Sequence, residues 1–350
     1  MKEDSLHETY IKRCLELALS GLGNTAPNPL VGSVIVHNGR IIGEGYHKQF
    51  GGPHAEVNAV LNVKEKALLP LSTLYVNLEP CSHTGKTPPC ADMIIQAGLR
   101  DVVIGTVDPN PIVSGNGIKK LERAGVRVIH NILPRECQYV NRRFFTYHIQ
   151  KRPYILLKWA QTADGFIDII RDDGTSEPAW ISNDISRMIV HKWRAEEQSI
   201  LVGTNTALID NPRLNVREWP GKSPLRMVID RSLRLPAHLH LFDNTYNTLV
   251  FNEKIDRHAL QTTWVRLDFG ASMLPQLLAN LYAQNIQSMM VEGGRKLICG
   301  FLDADLWDEA RVFVGSNKFG NGLPAPLITT IEPRRTAIRK DTLLVYLNQA

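Results

Sequence analysis

Pro53-His54-Ala55-Glu56, read with Glu79-Pro80-Cys81-Ser82-His83-Thr84-Gly85-Lys86-Thr87-Pro88-Pro89-Cys90, decides how the first half of this chain folds. Gly51-Gly52-Pro53 breaks the chain, and a helix is expected over about 54–66. Residues 74–78 read as a strand running into the Cys81 loop. Pro88-Pro89 preorganises a second helix start, so a helix is expected over about 89–96, with Gly98 as its stop. Two helix starts facing one strand end are the material of a layered α/β domain. One His and two Cys can hold three corners of a tetrahedral zinc site and leave the fourth for water. A helix amino end favours a thiolate. The carboxyl edge of a sheet is where α/β proteins place their sites.

Outward from that stretch, residues 4–20 carry apolar side chains at helical spacing (Leu6, Tyr10, Ile11, Cys14, Leu15, Ala18), with Gly21 as the stop. Strands are expected over 30–37 and 40–45, joined at Asn38-Gly39, a two-residue hairpin signal. A strand over 101–106, a helix over 118–124 and a strand over 126–130 follow. One helix over about 134–147 closes the unit. Lys151-Arg152-Pro153 reads as the join. Beyond it, strands are expected over 154–161, 199–202, 225–230, 248–251, 288–291, 310–314 and 343–347. Helices are expected over 185–194, 204–209, 273–285 and 295–302. The expectation is two α/β domains, residues 1–148 and 153–350.

The chain has 350 residues, 43% hydrophobic and 21% charged, which fits two ordinary globular domains. The net charge of +5 is scattered along the chain, so no nucleic-acid stripe is evident. Five Cys, an odd count without framework spacing, argue against a disulfide scaffold. Cys14, Cys137 and Cys299 default to core. Free thiols fit a reducing cytoplasm. No signal-peptide core and no run of about 18 apolar residues is present, so a cytoplasmic protein without membrane contact is expected.

The pattern His-x-Glu with Pro-Cys and a second Cys is the signature of zinc-dependent deaminases, in which the Glu shuttles protons and binds no metal. Zinc in such a site brings a water to a pKa of about 7. Glu56 would take its proton and hand it to the departing amine. Eight residues, Ser82 to Pro89, separate the two Cys; nucleoside deaminases have two. Asn28, His47, His83, Lys86, Asp108 and Asn110 fall on loops near the same sheet edge. Taken singly, a loop His or Asn reads first as a turn-former or surface polar group. Lys86 could take a substrate phosphate. Gly85-Lys86-Thr87 is not a nucleoside-triphosphate loop, because Pro80 stands where the first glycine belongs. The second half is less explicit. It lacks a G-x-G-x-x-G fingerprint. Val291-Glu292-Gly293-Gly294 opening a helix at Arg295 reads either as a phosphate cradle or as a plain tight turn.

With these pieces assembled, the chain resembles the bifunctional riboflavin biosynthesis enzymes, in which a diaminohydroxyphosphoribosylaminopyrimidine deaminase is fused to a 5-amino-6-(5-phosphoribosylamino)uracil reductase. The match runs nearly end to end. It rests on Pro27-Asn28-Pro29, Gly43-Glu44-Gly45-Tyr46-His47, Pro53-His54-Ala55-Glu56, the Glu79 to Cys90 loop and Asp108-Pro109-Asn110-Pro111. In the second half it rests on Lys158, Asp164-Gly165, Trp180-Ile181, His191 to Arg194, and Asp210-Asn211-Pro212-Arg213-Leu214. The eight-residue Cys spacing is that family's version of the zinc site. Ser33 stands where the family usually has Cys and reads as packing inside a strand.

The resemblance implies a three-layer cytidine-deaminase-like domain followed by a dihydrofolate-reductase-like α/β domain. It implies zinc on His54, Cys81 and Cys90, with Glu56 as proton shuttle. Asn28, His47, His83, Lys86, Asp108 and Asn110 are then expected around the aminopyrimidine and its ribose phosphate. It implies NADPH against Ala160, Thr206, Asp210 and the segment from Gly294 and Arg295 to Gly300. Arg194, Leu214, Arg217 and Glu292 are expected to contact the reductase substrate. Arg231, where many relatives have Ser, is read as pairing with the 2′-phosphate of NADPH. Lys158 and Asp164 are the candidates for the reductase proton donor. The partner is a phosphorylated aminopyrimidine, not nucleic acid or membrane; self-association is left open. The competing readings are a nucleoside or polynucleotide deaminase with an unrelated C-terminal domain, and a non-catalytic protein on a retained fold.

Overall fold

The computed structural model describes residues 2–82, 88–111, 113–170 and 180–348. The chain divides into two compact units, Met1–Lys151 and Arg152–Ala350. The first holds strands β1 (Gly32–His37), β2 (Arg40–Tyr46), β3 (Thr73–Leu78), β4 (Asp101–Thr106) and β5 (Arg127–His130), in the order β2-β1-β3-β4-β5. β1 runs antiparallel to β2 and β3, while β3, β4 and β5 are parallel. Asn38 and Gly39, at φ 47° and 74°, make the turn between β1 and β2. Two positive φ angles are what a hairpin of this length requires.

The helices are α1 (Lys2–Leu19), α2 (Ala55–Asn62), α3 (Cys90–Gln96), α4 (Asn116–Arg123), α5 (Pro134–Val140) and α6 (Arg142–Gln150). The strands are apolar on both faces because both faces are covered. Ile35, Leu74, Val76, Val102 and Ile104 pack against Ala59 of α2, Ala91 and Ile94 of α3, and Ile118 and Leu121 of α4. The alternate residues Val34, Val36, Tyr75 and Val103 pack against Tyr10, Ile11 and Cys14 of α1 and Cys137 of α5. That alternation produces three layers. Ser33 is buried and its hydroxyl donates to the Tyr75 carbonyl at 2.8 Å, so the position is internal to the sheet.

Two elements of this unit depart from expectation by more than two residues. α2 ends at Asn62, because Val63 turns extended and enters the core. The single helix expected over 134–147 is two helices broken at Asn141. The buried Asn141 side chain accepts from the Leu30 amide (2.7 Å) and donates to the Leu30 carbonyl (2.9 Å). Asn77 adds bonds to Leu30 and Gly32. Two buried amides thus fix the segment next to Asn28.

The second unit contains β6 (Tyr154–Gln161), β7 (Phe166–Asp168), β8 (Ser199–Gly203), β9 (Leu225–Ile229), β10 (Thr248–Asn252), β11 (Arg257–Ala259), β12 (Thr262–Arg266), β13 (Ser288–Glu292), β14 (Glu309–Val314), β15 (Leu323–Pro324), β16 (Arg334–Ile338) and β17 (Asp341–Leu347). Its helices are α7 (Asp184–Glu196), α8 (Thr204–Asp210), α9 (Met273–Ala283) and α10 (Arg295–Asp303). β7 and β15 pair separately; the other strands form one sheet in the order β11-β12-β10-β9-β8-β13-β6-β14-β17-β16. β12 to β14 along that order are parallel, and β11, β17 and β16 are antiparallel additions. After β8 the chain moves outward to β9; after β13 it crosses β6 to β14. The connections diverge between β8 and β13, and such a switch point opens a crevice at the strand carboxyl ends.

Candidate active sites

In the first unit, His54 is the residue that caps α2, Cys90 is the first residue of α3 with Pro89 before it, and Cys81 follows the end of β3. His54 Nδ1 lies 3.2 Å from Cys90 Sγ and 3.6 Å from Cys81 Sγ. A tetrahedral zinc with bonds of about 2.0–2.1 Å to nitrogen and about 2.3 Å to sulfur sets N–S edges near 3.6 Å. The donor set therefore fits zinc in number, chemistry and spacing. Among the described residues this is the one cluster of His, Cys and acidic side chains that could hold a metal.

The electrostatics follow from burial and proximity. Cys81 is pushed down to about 4, first by a hydrogen bond from the Cys90 thiol and further by His54. Cys90, the donor of that pair, is pushed up. His54 is raised by its bond to Cys81. Glu56 is buried in the first turn of α2, and that burial raises its pKa against the opposing pull of His54.

His47 and Asn28 stand together beside this cluster. His47 Nδ1 meets the Pro53 carbonyl at 3.0 Å, and its Nε2 meets Asn28 Nδ2 at 3.1 Å. Burial lowers the His47 pKa. A neutral ring with its proton on Nδ1 satisfies both bonds. The ring stands edge-on to His54 at 5.3 Å. Asp108 is buried and pushed up to about 7 by that burial, and it accepts from the Asn110 amide at 2.7 Å. His83 and Lys86 lie outside the described residues.

In the second unit, ten expected residues border one cavity of about 1240 Å³: Ala160, Thr206, Asp210, Arg231, Gly294 and Arg295, with Arg194, Leu214, Arg217 and Glu292. Gly293 and Gly294 have φ of 88° and 79°, backbone that favours glycine. A Cβ on Gly294 would sit 3.2 Å from Thr206 Oγ1, and one on Gly293 3.0 Å from Thr206 Cγ2. The turn is thus a bare-backbone cradle at the amino end of α10, with Thr206 of α8 against it. That geometry fits the phosphates of a nucleotide cofactor.

Arg194 Nε and Nη2 grip the two oxygens of Glu292 at 2.7 and 2.8 Å, and Nη1 reaches the Asn215 carbonyl at 3.2 Å. Lys158 Nζ lies 3.7 Å from Glu292. Burial drives the Glu292 carboxyl up, but Arg194 and Lys158 outweigh it and hold it at about 2. Arg231 is already engaged, donating to Glu253 at 2.7 Å with its guanidinium 5.6 Å over the Phe269 ring. Asp164, one of two candidate proton donors, is held by hydrogen bonds to its own loop and to residues 319 and 320. Its carboxylate accepts from Thr162 Oγ1 and the Phe319 and Gly320 amides, and it does not border the cavity.

Residues 4–106 match the cytidine and deoxycytidylate deaminase zinc-binding region, and residues 153–346 match the RibD C-terminal domain. The chain is 40% identical over 324 residues to the riboflavin biosynthesis protein RibD of Aquifex aeolicus, across 91% of this chain and 89% of that one. It is 36% identical over 332 residues to RibD of Escherichia coli, across 90% and 89%. The chain belongs to the RibD family of riboflavin biosynthesis proteins. A crystal structure of a diaminohydroxyphosphoribosylaminopyrimidine deaminase/5-amino-6-(5-phosphoribosylamino)uracil reductase from Thermotoga maritima superposes with a TM-score of 0.86 at 38% identity, covering 99% of each chain. Like the RibD family, this chain is a zinc-dependent deaminase and an NADPH-dependent reductase of riboflavin biosynthesis.

Two RibD residues that bear on the sites had no role in the sequence reading. Glu79 is buried and accepts four backbone amides. A charged side chain closing an apolar strand was the available signal. His191 was visible within the stretch from His191 to Arg194, but its contact was not. Its Nδ1 accepts from the Arg217 amide at 3.3 Å. With Arg194 one helical turn away on Asn215, it holds the segment that carries Arg217. Among the described residues no helix is long and apolar enough to cross a membrane.

Proposed function

We propose that residues 1–148 deaminate 2,5-diamino-6-(5-phosphoribosylamino)pyrimidin-4-one, and that residues 153–350 then reduce the ribosyl group of the product to ribityl, in the cytoplasm. The observation that carries this reading is the convergence of His54, Cys81 and Cys90 with a buried Glu56 two residues from the His.

Zinc held by His54, Cys81 and Cys90 would supply a water made acidic by the metal. Glu56 takes that proton and delivers it to the departing amine; the C–N bond to the amine breaks, a C–O bond forms and ammonia leaves. Its raised pKa suits a group that must both accept and donate. Asn28 and His47 orient the ring, and Asp108 and Asn110 hold the ribose. His83 and Lys86 take the phosphate side of the same substrate.

NADPH, held by the residues below, would supply a hydride to ribose C1′. The C1′–O4′ bond breaks, and O4′ takes a proton. Thr206 and the Gly294 to Gly300 segment seat the cofactor, with Ala160, Asp210 and Arg295 along it. Leu214, Arg217 and the Arg194–Glu292 pair face the substrate. Lys158 remains the candidate proton donor. Substrate recognition is that of a small molecule, not a nucleic acid.

The direct test is a coupled assay on the phosphoribosylaminopyrimidine. One NADPH oxidised per ammonia released is expected. Ammonia release without NADPH oxidation would remove the reductase step from this substrate. Arg231→Ala tests the cofactor reading separately. Losing one charged hydrogen bond, about 1.5–3 kcal/mol, should cut the preference for NADPH over NADH roughly ten- to a hundredfold. An unchanged preference would show that the 2′-phosphate is read elsewhere, with Arg231 serving Glu253 alone.

A further inference from the structure

We propose that Glu79 is the positioning residue of the deaminase site, locking the strand end that delivers Cys81 to the loop that delivers Asp108 and Asn110. This rests on the reading of Asp108 and Asn110 as substrate contacts. Glu79 lies two residues before Cys81 and is 4% exposed. Its Oε2 accepts the Asp108 amide at 3.2 Å and the Gly115 amide at 2.9 Å. Its Oε1 accepts the Gly117 amide at 2.9 Å and the Ile118 amide at 3.2 Å. Its own amide donates to the Thr106 carbonyl at 3.0 Å, keeping β3 and β4 in register as they leave the sheet.

The chemistry of these contacts needs a carboxylate. An ionised carboxyl offers about four acceptor sites and no donor, and four amides fill them. Three of those amides lie at the amino end of α4, where partial positive charge favours an anion. The approach is also tight: a Cβ on Gly117 would sit 2.0 Å from the Pro80 carbonyl and 3.2 Å from Glu79 Cγ. The start of α4 is therefore seated directly on the Glu79-Pro80 strand end. Asp108 sits at one end of the clamp and Cys81 leaves from the other, so the spacing between the metal and the ribose contacts is set by one side chain that touches neither substrate nor metal.

Glu79→Gln keeps the size but turns one end into a donor facing amide donors. The loop must then shift away while the zinc ligands remain. Expected are one zinc per chain, unchanged NADPH-dependent reduction of deaminated substrate, a KM for deamination raised at least tenfold and a kcat within about threefold. Amide exchange at residues 108 and 115–118 should accelerate at least tenfold, with α3 unaffected. A KM unchanged with zinc retained would overturn the proposal. So would loss of zinc with a proportional fall in kcat, because Glu79 would then serve only the metal loop. A Glu79→Gln chain that fails to fold would overturn it as well, by making the residue a stability element. Asn110→Ala separates the underlying reading: if it leaves KM unchanged, the substrate role of that loop fails. If Asn110→Ala raises KM and Glu79→Gln does not, the inference about Glu79 fails alone.

Discussion

Glu56→Gln should abolish most deamination, lowering kcat/KM by at least 10²- to 10⁴-fold, the range for one general acid/base, while zinc stays bound. The larger end is expected because one carboxyl serves both proton transfers. Glu56 sits in the first turn of α2, two residues from His54, and is buried. Burial raises its pKa above the ordinary carboxylate range, which brings it closer to working pH in both directions of transfer. The amide of Gln keeps the volume and can still hydrogen-bond, but it cannot take up a proton. His54, Cys81 and Cys90 keep their spacing, so metal content should hold at one per chain. Reduction of already deaminated substrate should also persist, because its candidate residues all lie beyond residue 152. Ammonia release, metal analysis and NADPH oxidation on one preparation check all three. Deamination within tenfold of wild type would remove Glu56 from the proton path; joint loss of both activities would argue against independent sites.

The convergence of His54, Cys81 and Cys90 is legible in the sequence because each ligand is placed by its own neighbours. Pro53 and Pro89 precede helix starts, and Cys81 follows an apolar strand. The hairpin at Asn38-Gly39 and the strand at Tyr154–Gln161 are legible for the same local reason. What escaped is set by partners distant in sequence. Asn141 breaks a helix because it pairs with Leu30, 111 residues earlier. Glu79 finds its amides 29 to 39 residues on. The strands that went unread have little apolar alternation to show. β16 has four exposed residues of five, β7 and β11 have three residues each, and β15 has two. β12, Thr-Thr-Trp-Val-Arg, carried a β-branched signal but follows a three-residue strand at the sheet edge. The Gly293-Gly294 turn reads two ways in sequence, and the packing of Thr206 against it is visible only in three dimensions.

Arg194→Ala should cost the second unit about 3–5 kcal/mol, the usual penalty for stripping one partner from a buried ion pair, and should silence reduction. The pair is 12% and 10% exposed, so solvent screens it little. Three of the five guanidinium N–H donors are committed, two to Glu292 and one to Asn215. Without them Glu292 is left, among the described residues, with Lys158 at 3.7 Å as its ion-pair partner. The segment carrying Arg217 then hangs on His191 and Ser223. The pH dependence carries a definite sign. Glu292 is held at about 2 when folded, below its ordinary 4.5. A depressed acid contributes stability above its unfolded pKa and loses it as pH falls through the folded one. Wild type should therefore lose stability from this group between about pH 4.5 and 2, on the order of 3 kcal/mol at about 1.36 kcal/mol per unit. Arg194→Ala should show most of that loss already at neutral pH and a flatter acid limb. Arg194→Met with Glu292→Leu and Lys158→Met removes all three buried charges, Lys158 included because it would otherwise be left without its partner. It should recover much of the stability, because desolvating an ion pair offsets most of its attraction, but not reduction. Denaturant unfolding across pH, read beside NADPH oxidation, separates the two effects. An Arg194→Ala protein within about 1 kcal/mol of wild type at pH 7 would mean that Lys158 alone satisfies Glu292, and would turn Arg194 back into a group held for the substrate.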